Sequence, residues 1–164
     1  MNQAHFHLVV NHLPIIFPIA ALLVLLAGYI AKSPAVKRTS YMLFVIGSIS
    51  TLMAMNSGEG AEEIVEHING IEEDYIEKHE ESAETFAILS YLLGLLSLIA
   101  FWACYRLKSF ASFLSYAVLV FALVVIYFGR ETGTTGGEIR HTEIRADFKE
   151  IKGGDTHEES EHEH

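Results

Sequence analysis

Acidic residues are missing from two long stretches of this 164-residue chain: residues 1–58 hold no Asp or Glu, and neither do residues 86–129. All 21 acids fall in residues 59–84, which hold 11, and in residues 131–163, which hold 10. Apolar blocks that alternate with charged ones are the signature of a chain that crosses a membrane several times. The composition is 51% hydrophobic and the mean hydropathy +0.30, despite a formal net charge of -10. Ten Phe and seven Tyr exclude an intrinsically disordered chain, and a pI near 5.3 argues against a nucleic-acid binder. Cys104 is the one cysteine and lies inside an apolar block, so no disulfide framework and no cysteine-based zinc or iron–sulfur site is available.

Four blocks, residues 8–31, 41–57, 86–105 and 110–129, approach the roughly 20 apolar residues that a helix needs to cross a core of about 30 Å. The fold expected is all-α, a four-helix transmembrane bundle. The second block is the least apolar, with Gly47, Ser48, Ser50, Thr51, Ala54, Asn56, Ser57 and Gly58 among its Ile, Leu and Met. Small and hydroxylated residues let helix backbones approach, so this helix is expected to face its neighbours more than lipid. The first block has no basic leader and no small-x-small cleavage pattern, and is read as a retained span. Lys32, Lys37 and Arg38 occupy the first short link, and Arg106 and Lys108 the last. The positive-inside rule makes both links cytoplasmic and places the N terminus, residues 58–85 and everything after Arg130 on the opposite face. In a bacterial inner membrane, which is assumed, that face is the periplasm. The net charge is then a difference between faces, +5 on the links and -15 outside.

Residues 1–150 read as the membrane domain and residues 151–164 as a flexible acidic tail that holds His157, His162 and His164. Between the second and third spans, amphipathic helices over 58–69 and 71–85 form an outward hairpin extension. Ala61, Ile64, Val65 and Ile68 make the apolar stripe of the first, flanked by Glu63 and His67 at i, i+4. Asn69-Gly70 breaks it, and the next helix runs from near Ile71 into the third span without a Gly or Pro before Gly94. His79 and Glu80 project with Ile76, Ala83 and Ala87, above Ser90. Glu62, Glu66, Glu73, Asp74, Glu77 and Glu81 read as a solvated face.

All nine histidines lie on the outer side or in the outer turns of a span: His5, His7, His12, His67, His79, His141 and the three of the tail. His12 sits in Asn-His-Leu-Pro at the edge of the apolar block, where an imidazole is costly without a partner; the plainer reading is an interfacial histidine that snorkels to water. Pro14 suits a first helical turn, and Pro18 should loosen the helix near His12. After Arg130, three glycines within Gly-Thr-Thr-Gly-Gly are expected to give a loop that folds back over the bundle mouth and delivers His141. It lacks the Gly-Lys-Ser/Thr ending of a phosphate loop. Arg130 and Arg140 are candidate donors to carboxylates or haem propionates.

His7-Leu-Val-Val-Asn-His12-Leu-Pro-Ile-Ile followed by Phe17-Pro-Ile-Ala resembles the opening motif of an uncharacterised family of small bacterial four-span membrane proteins, His-Pro-x-x-Val-His-Phe-Pro-Ile-Ala. Gly136-Gly137-Glu138-Ile139 with His141 resembles that family's closing Gly-Gly-x-Leu-Val…His motif. Leu8 stands where the family has proline, and His141 lies a residue or two nearer its glycines than is usual there. Some relatives are fused to c-type cytochrome modules, and the resemblance therefore implies electron transfer by association.

Two functional readings follow, with a third beside them. In the first, the bundle holds haem b, with His12 as one axial ligand, His79 or His141 opposite, and His7 and His67 serving a second haem or neither; Met53 and Met55 are weaker candidates. Electrons would pass between quinone and a periplasmic cytochrome. In the second, Glu59, Glu63, His67, His79 and Glu80 bind zinc, iron, manganese or copper(II). The absence of His-Glu-x-x-His, and of a Glu-x-x-His pair within the spans like that of ferritin-type di-iron bundles, argues against a hydrolytic zinc enzyme and a di-iron oxygenase. In the third, the protein is a structural or assembly subunit whose histidines only satisfy hydrogen bonds. None of the three excludes an oligomer or assigns a reaction.

Overall fold

The structure, a computed structural model, describes residues 2–65 and 71–146. A short helix, α1 (Gln3–Val10), precedes four long ones, α2 (Leu13–Ile30), α3 (Pro34–Val65), α4 (Glu73–Tyr105) and α5 (Ala111–Glu138), and a single 3₁₀ turn, Thr142–Ile144, follows. Four stretches are long and apolar enough to cross a membrane: Gln3–Ile30, which joins α1 and α2, then Pro34–Val65, Glu73–Tyr105 and Ala111–Glu138. The protein is thus an all-α four-helix membrane bundle. Each long helix packs against the next in sequence, α2 closes the ring against α5, and α1 lies on α3.

Leu25, Tyr41, Phe44, Leu93, Val118 and Val125 are almost fully buried, while Leu23, Ile88, Leu95, Phe113 and Val120 are exposed around the outside. Lipid solvates such a surface as readily as a neighbouring helix does, so what holds the bundle together is close approach and interhelical hydrogen bonding. The small residues of α3 serve this purpose: Gly47, Ser50, Thr51 and Ser57 are all buried. A Cβ on Gly47 would stand 3.1 Å from Phe17 and 3.2 Å from the ring of Pro18, so α2 crosses α3 at this glycine. On the next seam a Cβ on Gly94 would meet Ser48 at 2.6 Å, and Thr51 and Ser90 share a hydroxyl hydrogen bond of 2.8 Å.

Both basic links turn in the same way. Lys32 and Leu107 adopt left-handed backbone, with φ of 50° and 51°. Ser33 N–H then donates to Gly28 O at 3.1 Å and Lys108 N–H to Ala103 O at 2.9 Å, so that each helix ends in a Schellman motif. Lys37 sits over the Tyr29 ring at 3.8 Å and Lys108 over Trp102 at 5.5 Å.

The helices depart from the sequence expectation in three places. The first span is broken at Asn11–His12, so α1 is a separate helix, and Pro14 lies in the first turn of α2. Helix α3 continues through Gly58 and Gly60 as far as Val65, because a glycine costs a helix only about 1 kcal/mol relative to alanine; Asn69-Gly70 lies outside the described residues. The expected loop after Arg130 does not form: α5 stays helical through Gly133, Gly136 and Gly137 to Glu138. These glycines are sites of close approach rather than turns. A Cβ on Gly129 would lie 3.1 Å from Phe86, one on Gly133 3.3 Å from Ile15, and one on Gly136 3.0 Å from His79.

Candidate functional site

The acidic end of the bundle brings His7 and His79 into one neighbourhood. Helix α1 is short and N-capped by Asn2, whose side chain accepts from His5 N–H at 2.9 Å, and it carries His7 against α3. The His7 Nδ1 lies 3.2 Å from Ala54 O and 3.0 Å from Ser57 Oγ. A carbonyl only accepts, and Ser57 gives its one proton to carbonyls one turn back, Met53 O or Ala54 O. Nδ1 of His7 is therefore the protonated nitrogen, and in the neutral ring Nε2 keeps its lone pair.

The same logic holds for His79 on α4. Its Nδ1 lies 3.1 Å from Thr135 Oγ1, which itself donates to Thr132 O at 3.1 Å. With the Thr135 proton on Thr132 O, Thr135 accepts from His79 Nδ1, and Nε2 of that tautomer keeps its lone pair. The ring packs on Gly136, where any Cβ would touch it. Seven residues separate His79 from Phe86, where the apolar block of α4 begins, so the imidazole stands about 10 Å above that block. Burial holds His79 below the ordinary histidine range, and the nearby His7 opposes a second positive charge there, against a smaller opposite effect of the Thr132 backbone. Beneath it, Ser82 and Thr132 share a hydroxyl hydrogen bond of 2.9 Å.

The other residues singled out in the sequence lie elsewhere or apart. His12 is exposed at the start of α2 and makes no side-chain cap bond. His141 is not delivered to the mouth: its side chain is 64% exposed and pairs with Glu143 at 2.9 Å. Arg130 is exposed and pairs with Glu131 at 3.2 Å, and Arg140 is exposed. Glu59, Glu63 and Glu80 are exposed residues of α3 and α4, the last two engaged in interactions of their own. Met53 is exposed and Met55 half-buried on α3. His67 and the tail histidines lie outside the described residues. Among the described residues, no three of His, Cys, Asp or Glu gather as a metal-binding group.

Sequence reasoning missed the cluster that closes this end. Arg145 is 9% exposed and donates from Nε to Glu138 O at 2.9 Å and from a terminal nitrogen to Ile139 O at 3.4 Å. It also pairs with Glu72 and lies 3.7 Å over the Tyr75 ring. It thereby caps α5 and ties that helix to the start of α4. Beside it, Lys78 pairs at 2.7 Å with Glu138, itself 8% exposed. A basic residue just past a helix C terminus is the signal for such a cap, and it is visible only once the helix is known to end at Glu138.

No curated protein and no solved structure matches the chain. Residues 4–143, from α1 through the 3₁₀ turn and including both histidines, match the model of a family described as predicted membrane protein DUF2231, and the chain belongs to that family.

Proposed function

We propose that the protein is a b-type haem carrier of electrons, with His7 and His79 as the axial pair. The observation that carries this reading is the anchoring of both imidazoles: the Nδ1 of each is hydrogen-bonded to a neighbouring helix, which leaves Nε2 as the nitrogen for a ligand. Metal-ligating histidines are generally held in this way, the second nitrogen's hydrogen bond fixing tautomer and ring orientation. A haem iron takes two such donors along its axis. A divalent ion held by protein alone takes about four, and the described residues gather no third donor.

Haem would supply a one-electron couple when bound. Ala54, Ser57 and Thr135 orient the two imidazoles, and the exposed Arg130 and Arg140 can receive propionates as bidentate donors. The seam at Thr51, Ser90 and Gly94 is closed, which favours a site at the mouth over one at mid-membrane. On this reading the basic links face the cytoplasm, the membrane is a bacterial inner membrane, and both termini are periplasmic. Electrons would then pass between quinone in the bilayer and a periplasmic cytochrome.

Absorbance of the purified protein tests the proposal. The expected result is a Soret band that shifts on dithionite, is lost in His7→Ala and in His79→Ala, and survives in His12→Ala. Colourless protein with stoichiometric zinc, iron, manganese or copper would overturn it in favour of a divalent site built on Glu59, Glu63, His67, His79 and Glu80. Protein with neither would leave the histidines to a structural or assembly subunit.

A further inference from the structure

An open hollow of about 540 Å³ lies between α1 and α3 at the acidic end, lined by Asn2, Gln3, Phe6, Met53, Asn56 and Ser57, of which Ser57 is buried, Phe6 half-buried and the rest exposed. Its volume falls within the range of small-molecule sites. None of its lining residues is charged. Asn2 and Ser57 are engaged in the α1 cap and with His7, but the amides of Gln3 and Asn56 supply donors and acceptors, so a neutral ligand finds hydrogen bonds there, whereas a phosphate or carboxylate finds no counter-charge. Phe6 gives a flat wall and Met53 an adaptable one.

The hollow continues into the lipid-facing surface of α3. Ile49, Leu52, Met53 and Asn56 recur at helical spacing on one face, and the first three are 55%, 51% and 41% exposed. A ligand seated at Asn56 therefore has an apolar track for a tail. At the other wall, Ser57 is the residue that accepts from His7 Nδ1.

We infer that this hollow seats the ring of a quinone, with the amides of Gln3 and Asn56 on the ring oxygens, Phe6 and Met53 on its faces, and the apolar tail along Leu52 and Ile49. The inference rests on the haem reading for its role, because Ser57 places the ring beside an axial histidine, but not for the binding itself. A flat neutral ring with an oxygen at each edge matches amides brought in from two helices. A phospholipid headgroup would leave its charges unpaired in the same place.

Photolabelling of the full-length protein in nanodiscs with an azido-quinone tests it. Label is expected on the peptides containing Phe6 and Met53, competed by unlabelled decyl-quinone, and reduced about tenfold in Asn56→Leu and in Gln3→Leu, as expected for one lost hydrogen bond. Asn56→Asp, which keeps shape but adds charge, is expected to weaken labelling as well; circular dichroism and elution volume check that each variant is folded. Label spread along the lipid face without competition, or label displaced by diacyl lipid and not by quinone, would overturn the inference. The Soret band, read on the same samples, separates the two proposals. Competed labelling of colourless protein keeps the quinone site and sinks the haem, while a Soret band without competed labelling does the reverse.

Discussion

The two ends of the bundle are closed by different means. At the basic end, each short link turns on one left-handed residue, Lys32 or Leu107, and Lys37 and Lys108 lie over Tyr29 and Trp102. Contacts between distant residues join the links as well: Tyr29 bonds Ser115 at 2.7 Å and stacks on Tyr116, Arg38 lies over the Tyr105 ring, and Cys104 Sγ lies 3.8 Å from Pro34 O. At the acidic end the closing contacts join distant residues: His7 with Ser57, His79 with Thr135, Lys78 with Glu138 and Arg145 with Glu72. A backbone turn has no partner to exchange, whereas an imidazole with one anchored nitrogen has a second one to offer. The acidic end is therefore where this fold can take a ligand.

The largest expected effect comes from removing the cap of α5. Arg145→Ala strands the carbonyls of Glu138 and Ile139 and removes a buried cation, and should cost about 3 kcal/mol of stability. Thermal melts in detergent measure this, and a melt like that of the parent would mean that the acidic end is not held by this cluster.

A smaller loss is expected at the seam under His79. Gly136→Val drives a side chain into the imidazole and should cost about 2 kcal/mol. Gly58→Val is the control, because a Cβ there meets nothing within 4 Å, and it should leave the melt unchanged or slightly raised. Equal losses at both positions would show that helix propensity, not packing on His79, sets the cost.

The pH dependence separates the ends further. Burial, with His7 second, holds His79 below its ordinary value, so the unfolded chain binds that proton more readily than the folded one. The stability contributed by neutral His79 is present above about pH 6.5 and is lost as the pH falls through the lowered value. Protection factors at the amides of Thr132–Gly136, with the intrinsic rate divided out, should fall as the pH drops from about 7.5 to about 5, and His79→Gln should flatten the change. Amides of Ala27–Lys37 should show no such fall.

The smallest effect is a gain at the basic end. Leu107 is 85% exposed and held at φ 51°, a conformation that costs an L-residue about 1 kcal/mol or more. Leu107→Gly should raise the melting temperature by a few degrees, and a fall would mean that Leu107 packs on lipid or on a second chain more than its backbone strains.

Much of this architecture is legible in the residues. The two acid-free stretches mark the four spans, and the small residues of the second block foretell its buried face at Gly47, Ser50, Thr51 and Ser57. One misreading has a physical cause. The glycines at 133, 136 and 137 look like a loop because glycine frees the backbone, yet the same missing side chain admits Ile15 and His79 against a helix. Sequence displays the absence of a side chain but not what fills the space. His12 stood out for its place at the edge of an apolar block, while His7 looked secondary; the break at Asn11–His12 reverses their rank by turning α1 onto α3.

What the chain alone determined was which four stretches are apolar enough to cross a membrane, since the partitioning of apolar blocks depends on composition over about 20 residues and not on partners. Which histidines are anchored and which carboxylate is paired were decided by the tertiary structure. Those properties depend on acceptors 47 and 56 residues away in the chain, which only the packing of α1 on α3 and of α4 on α5 brings within hydrogen-bonding reach.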